Sequence, residues 1–109
     1  MEEDAQQMMM EMQQTQQKLQ EVAAQKEETQ DELDGISKSL EELEKDEDGE
    51  VYQEVGNILV AKDRDQLQDD LEDRKEDLEA RNERLESKEE ELREKLQEAQ
   101  SQITQSMGQ

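Results

Sequence analysis

Apolar residues recur along this chain in two long runs whose spacings alternate between four and three. The first run is Met8, Met12, Thr15, Leu19, Val22, Lys26, Thr29, Leu33, Ile36, Leu40 and Leu43. This is the a/d seam of a heptad repeat, and it predicts a helix over 5–44. The second run is Leu67, Leu71, Arg74, Leu78, Arg81, Leu85, Lys88, Leu92, Leu96, Ala99 and Ile103. It predicts a helix over 64–105, with a shift of phase after Leu92 that reads as a local stutter. Folding the chain at its middle pairs Leu43 with Leu67, Leu40 with Leu71, Leu33 with Leu78, Leu19 with Leu92, Met12 with Ala99 and Met8 with Ile103. The residue numbers of each pair sum to 110 or 111. So constant a register predicts an antiparallel coiled-coil hairpin rather than one long helix or a parallel dimer. Each arm would have about 40 residues and reach about 60 Å at 1.5 Å per residue.

Several seam positions are not apolar. Lys26, Arg74, Arg81, Lys88 and Lys95 fall on the seam or next to it. Their aliphatic stems can cover apolar neighbours while the charges reach water. That fits an ordinary solvated two-stranded coil, and it also fits flexibility built into a long arm. Gly35 lies inside the first run on an outer position, where glycine costs about 1 kcal/mol relative to alanine.

The pattern changes character between the runs. Lys45-Asp-Glu-Asp-Gly49 breaks the helical period, and Glu50-Val-Tyr-Gln-Glu-Val55, Gly56-Asn57 and Ile58-Leu-Val-Ala61 follow. β-branched and aromatic residues replace helix formers, and two such runs around Gly-Asn predict a β-hairpin over 50–61. Gly56 supplies the positive φ that a type II′ turn needs first. Val51, Gln53, Val55, Ile58 and Val60 then share one face, and Tyr52, Glu54, Leu59 and Ala61 the other. Asp63 is the expected N-cap of the second helix, with Gln66 as capping-box partner. A lone two-stranded hairpin is marginal in water, and its edges offer unpaired N–H and C=O groups. The expectation is therefore that Val51, Tyr52, Val55, Ile58, Leu59 and Val60 drive oligomerisation, the hairpins of several subunits closing into a β-barrel body. The other arrangement is a hairpin folded back as a cap on its own helices.

Composition sharpens this picture. Only 28% of the 109 residues are hydrophobic and Tyr52 is the single aromatic, so no large compact core is affordable and apolar groups must lie along a seam. Low hydrophobicity with high charge is also the mark of disorder, against which the periodicity argues. A net charge of −21 excludes nucleic acid and anionic membranes, which need a basic stripe. No stretch is apolar and long enough to span a bilayer, and no signal peptide is visible. Cys and His are absent, which removes disulfides, thiol chemistry and the common zinc ligands. These features predict a soluble cytoplasmic protein. The acids are spread along the chain rather than gathered in a tail. That favours adaptation to a cytosol of molar salt, where the Debye length falls to about 3 Å, over a partner-repelling surface.

Nothing in the sequence is arranged for catalysis. There is no nucleophile with a base, no metal cluster and no phosphate-binding glycine loop, and Glu89-Glu90-Glu91 reads as a solvated face. The chain is expected to bind rather than to catalyse, with no cofactor and no metal.

The stretch from Leu40 to Val60, above all Val51-Tyr-Gln-Glu-Val-Gly-Asn-Ile-Leu-Val60, resembles the beta-type subunits of the archaeal prefoldin family. The order helix, hairpin, helix extends the resemblance over nearly the whole chain, as a single domain over 1–109. The resemblance implies an ATP-independent chaperone that holds unfolded polypeptides and delivers them to a group II chaperonin. It also implies a hexamer of two alpha subunits, which carry two hairpins each, and four beta subunits. The acidity departs from typical members and resembles that of proteins from extreme halophiles. Met8 and Met12 belong to the seam, whereas Met9 and Met10 do not and should point outward. Methionine is flexible and polarizable and suits surfaces that accept many partners. Together with the resemblance, this makes Met8, Met9, Met10, Met12, Ile103 and Met107 the expected client-binding residues. The alternative is a structural coiled-coil spacer or an adaptor without clients.

Overall fold

A computed structural model describes residues 2–107. Met1, Gly108 and Gln109, the outermost residues of the expected domain, lie outside them. The elements run α1 (Glu2–Lys45), β1 (Val51–Val55), β2 (Ile58–Lys62) and α2 (Arg64–Met107). The chain resolves into two compact units. Among the described residues, a terminal unit joins 2–28 to 82–107, and a bend unit comprises 29–81. In each, a stretch of α1 is combined with a stretch of α2 from the other half of the chain, which is the antiparallel hairpin arrangement.

Burial along α1 follows the heptad seam. Thr15, Val22, Thr29, Leu33 and Ile36 are buried, and Met8, Met12, Leu19, Lys26, Leu40 and Leu43 are half-buried. In the bend unit Leu33, Ile36 and Leu78 form one apolar cluster, against which Leu40 and Leu71 pack. Leu78 is the most enclosed side chain, 2% exposed.

Along α2 the seam departs from the expected track. Arg74, Arg81 and Lys88 are exposed, while Lys75 and Asn82 are half-buried and Glu89 is buried. The inward track therefore passes through Leu71, Lys75, Leu78, Asn82, Leu85, Glu89, Leu92, Leu96, Ala99 and Ile103. It alternates four and three without interruption, and no stutter occurs after Leu92. The reason is geometric. Leucines seven residues apart are compatible with a seam residue at either +3 or +4 between them, and assigning the cations to +3 creates an artificial phase shift. Exposed Arg74 instead donates from Nε and Nη2 to Glu32 Oε1 at 3.1 and 2.9 Å, bridging the helices outside the seam.

The bend holds an antiparallel pair with Val51 opposite Lys62, Tyr52 opposite Ala61, Gln53 opposite Val60, Glu54 opposite Leu59 and Val55 opposite Ile58. These are the faces expected from the sequence. Gly56 takes φ 61° and no other described residue has positive φ, as a type II′ turn requires. The sheet does not close into a barrel. It has two strands in the order β1-β2, each paired on one side only. Closure requires enough tilted strands for the last to pair with the first, and two five-residue strands across a tight turn cannot provide that. The fold is mainly helical with an open β-hairpin at the turn.

Candidate functional site

Two sets of exposed apolar side chains stand out, one in each unit. In the bend unit they are Tyr52, Val55, Ile58 and Leu59, the last two 64% and 70% exposed. Val51 and Val60 are half-buried. β-branched residues select the extended backbone, which puts Val51, Val55, Ile58 and Val60 on one face and Tyr52 and Leu59 on the other, in a sheet too small to cover either. The Tyr52 hydroxyl donates to Glu50 Oε2 at 2.6 Å. This bond holds the phenolic proton and raises the Tyr52 pKa above its ordinary value.

The roots of the hairpin are fixed by polar groups. The Gln66 amide donates to Asp63 Oδ2 at 3.1 Å and the Leu67 amide to the Asp63 carbonyl at 2.9 Å, so Asp63 caps α2. The Gln66 side-chain amide turns forward to Asp70 Oδ1, at 2.9 Å. The neighbouring Arg64 reaches back across the bend. Its guanidinium donates from Nη1 to the Leu43 carbonyl at 2.6 Å, and from Nη2 to the carbonyls of Asp46 and of Gly49, the latter at 3.2 Å. Sequence reasoning missed this residue. Its one signal is a cation at the first position of a helix, where the macrodipole disfavours positive charge.

In the terminal unit the exposed apolar residues are methionines. Met9 and Met10 are exposed and Met107 is 81% exposed, whereas Met8, Met12 and Ile103 are half-buried along the seam. All six expected client-binding residues thus fall in this unit, some on its seam and some on its surface. Helical spacing separates Met8 and Met12 from Met9 and Met10, because residues three and four apart share a face and adjacent residues do not, whereas Met107, four residues after Ile103, is exposed at the end of α2.

The seam of this unit is partly polar. Lys26 Nζ donates to Glu89 Oε1 at 3.4 Å and lies 3.5 Å from Glu86 Oε1, and Arg93 Nη1 lies 3.3 Å from Glu89 Oε1. Buried Glu89 is therefore held between two cations, which a carboxylate removed from water needs. Buried Thr15 satisfies its hydroxyl on the Glu11 carbonyl at 2.8 Å. Among the described residues no group of His, Cys, Asp or Glu could hold a metal ion, and no helix is long and apolar enough to cross a membrane.

Residues 6–109 match the family model described as a prefoldin subunit. The crystal structure of the prefoldin beta subunit from Thermococcus strain KS-1 is similar, with a TM-score of 0.84 and 36% sequence identity over 94% of this chain and 91% of that one. No curated protein sequence matches.

Proposed function

The chain belongs to the prefoldin subunit family, of archaeal beta type, and from that membership we propose how its two exposed surfaces divide the work. Prefoldin subunits are non-catalytic parts of an ATP-independent holdase that hands unfolded clients to a group II chaperonin, and that is the function of this chain. In our reading the methionine-bearing surface of the terminal unit, with Met8, Met9, Met10, Met12, Ile103 and Met107, takes up clients. The hairpin surface, with Val51, Tyr52, Val55, Ile58, Leu59 and Val60, joins subunits.

The observation that carries this division is the chemistry of the exposed groups. Met9, Met10 and Met107 are unbranched, with several rotatable bonds each, and can conform to unrelated apolar segments. Val55 and Ile58 are β-branched and stiff, held on a paired backbone, and suit one fixed counterpart. One weak client site gains avidity when several copies surround the same client.

The counterpart in this reading is an alpha-type prefoldin subunit with two hairpins, in a hexamer of two alpha and four beta chains working in the cytoplasm. Mixing the chain with such a subunit and measuring the mass of the complex tests it. A mass of two plus four is expected, and two chains that stay apart would refute it.

The acidity carries a second part of the proposal, adaptation to molar salt. With 34 acids against 13 cations, most carboxylates have no cation to pair with, and their mutual repulsion opposes helix formation until salt screens it. Helicity by circular dichroism should rise steeply toward molar KCl, and a flat response would refute a halophilic character.

A further inference from the structure

Arg64 occupies a position that its own helix disfavours. It is the first residue of α2, where the dipole opposes a cation and where Asp65 is the kind of residue expected. Acids also crowd the bend: Asp46, Glu47, Asp48 and Glu50 precede β1. Yet the hydrogen bonds of the guanidinium run to neutral carbonyls. Leu43 O belongs to the last turn of α1, and Asp46 O and Gly49 O belong to the segment leading into β1. One half-buried side chain therefore ties together the end of α1, the root of β1 and, through its own backbone, the root of β2.

A residue type that breaks a local rule needs a compensating gain elsewhere. Part of the gain is capping: a cation at the end of α1 satisfies orphan carbonyls and complements the dipole there. The planar fork adds direction, since its donors diverge at fixed angles toward separate carbonyls, which a lysine ammonium cannot reproduce. The chain joins the hairpin to the helices at two roots, residues 46–50 and Asp63. With both roots held by one rigid group, the faces bearing Val55, Ile58 and Leu59 keep one orientation toward the helix ends.

We propose that Arg64 is a positioning residue for subunit assembly, a clasp that presents the hairpin surface in the orientation the neighbouring subunit needs. The inference rests on the reading that the hairpin joins subunits. The contacts of Arg64 are hydrogen bonds to carbonyls rather than ion pairs, so molar salt leaves the clasp in place.

The test compares Arg64→Met, Arg64→Lys and Ile58→Asp with the unaltered chain, each mixed with a two-hairpin partner subunit. Assembly affinity, helicity and amide hydrogen exchange over 47–62 are measured. Arg64→Met should keep its helicity, exchange faster across the hairpin, and weaken assembly about ten-fold or more, given the strength of hydrogen bonds from a charged donor. Arg64→Lys, with charge but no fork, should fall between it and the unaltered chain. Unchanged affinity in Arg64→Met overturns the proposal. Helicity lost in step with affinity overturns it too, because Arg64 would then be only a helix cap. If Ile58→Asp abolishes assembly while Arg64→Met assembles normally, the clasp alone is wrong. If Ile58→Asp assembles normally, hairpin-driven assembly is wrong and the clasp falls with it.

Discussion

Around Leu78 the bend unit packs hydrocarbon on hydrocarbon, with Leu33 and Ile36 buried beside it and Leu40 and Leu71 closing the cluster. Around Glu89 the terminal unit holds a buried carboxylate between Lys26 and Arg93, while each unit buries one threonine, Thr15 here and Thr29 in the bend unit. The two surfaces differ in the same sense. The bend unit exposes β-branched residues on paired strands, and the terminal unit exposes methionines on helices. A directional, tightly packed framework suits a surface that meets one fixed partner. A seam built partly from ions and hydroxyls gives up apolar stabilisation and carries side chains that adapt. The contrast teaches that one heptad pattern can carry both an apolar and an ionic stretch of seam, depending on which residues interrupt it.

The sharpest way to break the contrast is at the hairpin. Ile58→Asp or Val55→Asp should abolish assembly with a two-hairpin partner in sedimentation while leaving the helices intact, because an interface would have to bury an unpaired charge, at a cost of several kcal/mol. Intact assembly would remove the rigid-surface half of the comparison. Next comes the core. Leu78→Ala should destabilise by about 2–5 kcal/mol in urea unfolding, since the side chain is almost fully enclosed. A smaller effect comes from the ionic seam. Glu89→Ala should cost about 1–3 kcal/mol, because Lys26 and Arg93 lose their shared partner, whereas Lys88→Ala should stay within about 0.5 kcal/mol. Equal effects would restore the seam to Lys88. The smallest change is a gain. Gly35 is exposed in mid-helix and a Cβ there would meet nothing within 4 Å, so Gly35→Ala should stabilise by about 0.5–1 kcal/mol.

The fold was legible where chemistry repeats. The α1 seam is inward at each position the heptads mark, and Gly56 and the strand register follow from alternation and turn geometry. The α2 track was misread at Arg74, Arg81 and Lys88, because leucines seven apart tolerate either intermediate position. The uninterrupted spacing back from Ile103 through Ala99, Leu96 and Leu92 held the correct answer. Arg64 was not legible, since its partners are backbone carbonyls brought near only by the bend and leave no periodic trace. The barrel expectation went beyond what one chain supplies: unpaired edges are a reason to associate, and they do not dictate a closed sheet. Met8, Met9, Met10 and Met12 could be placed on the seam or off it from spacing alone, and spacing says nothing about what they bind.

The division of labour is tested most directly by replacing Met9, Met10, Ile103 and Met107 with Ser together. The variant is assembled with a two-hairpin partner, and suppression of aggregation of a denatured protein is measured in high salt. The account predicts a complex of unchanged mass that no longer protects the client. Full protection by that variant would contradict it.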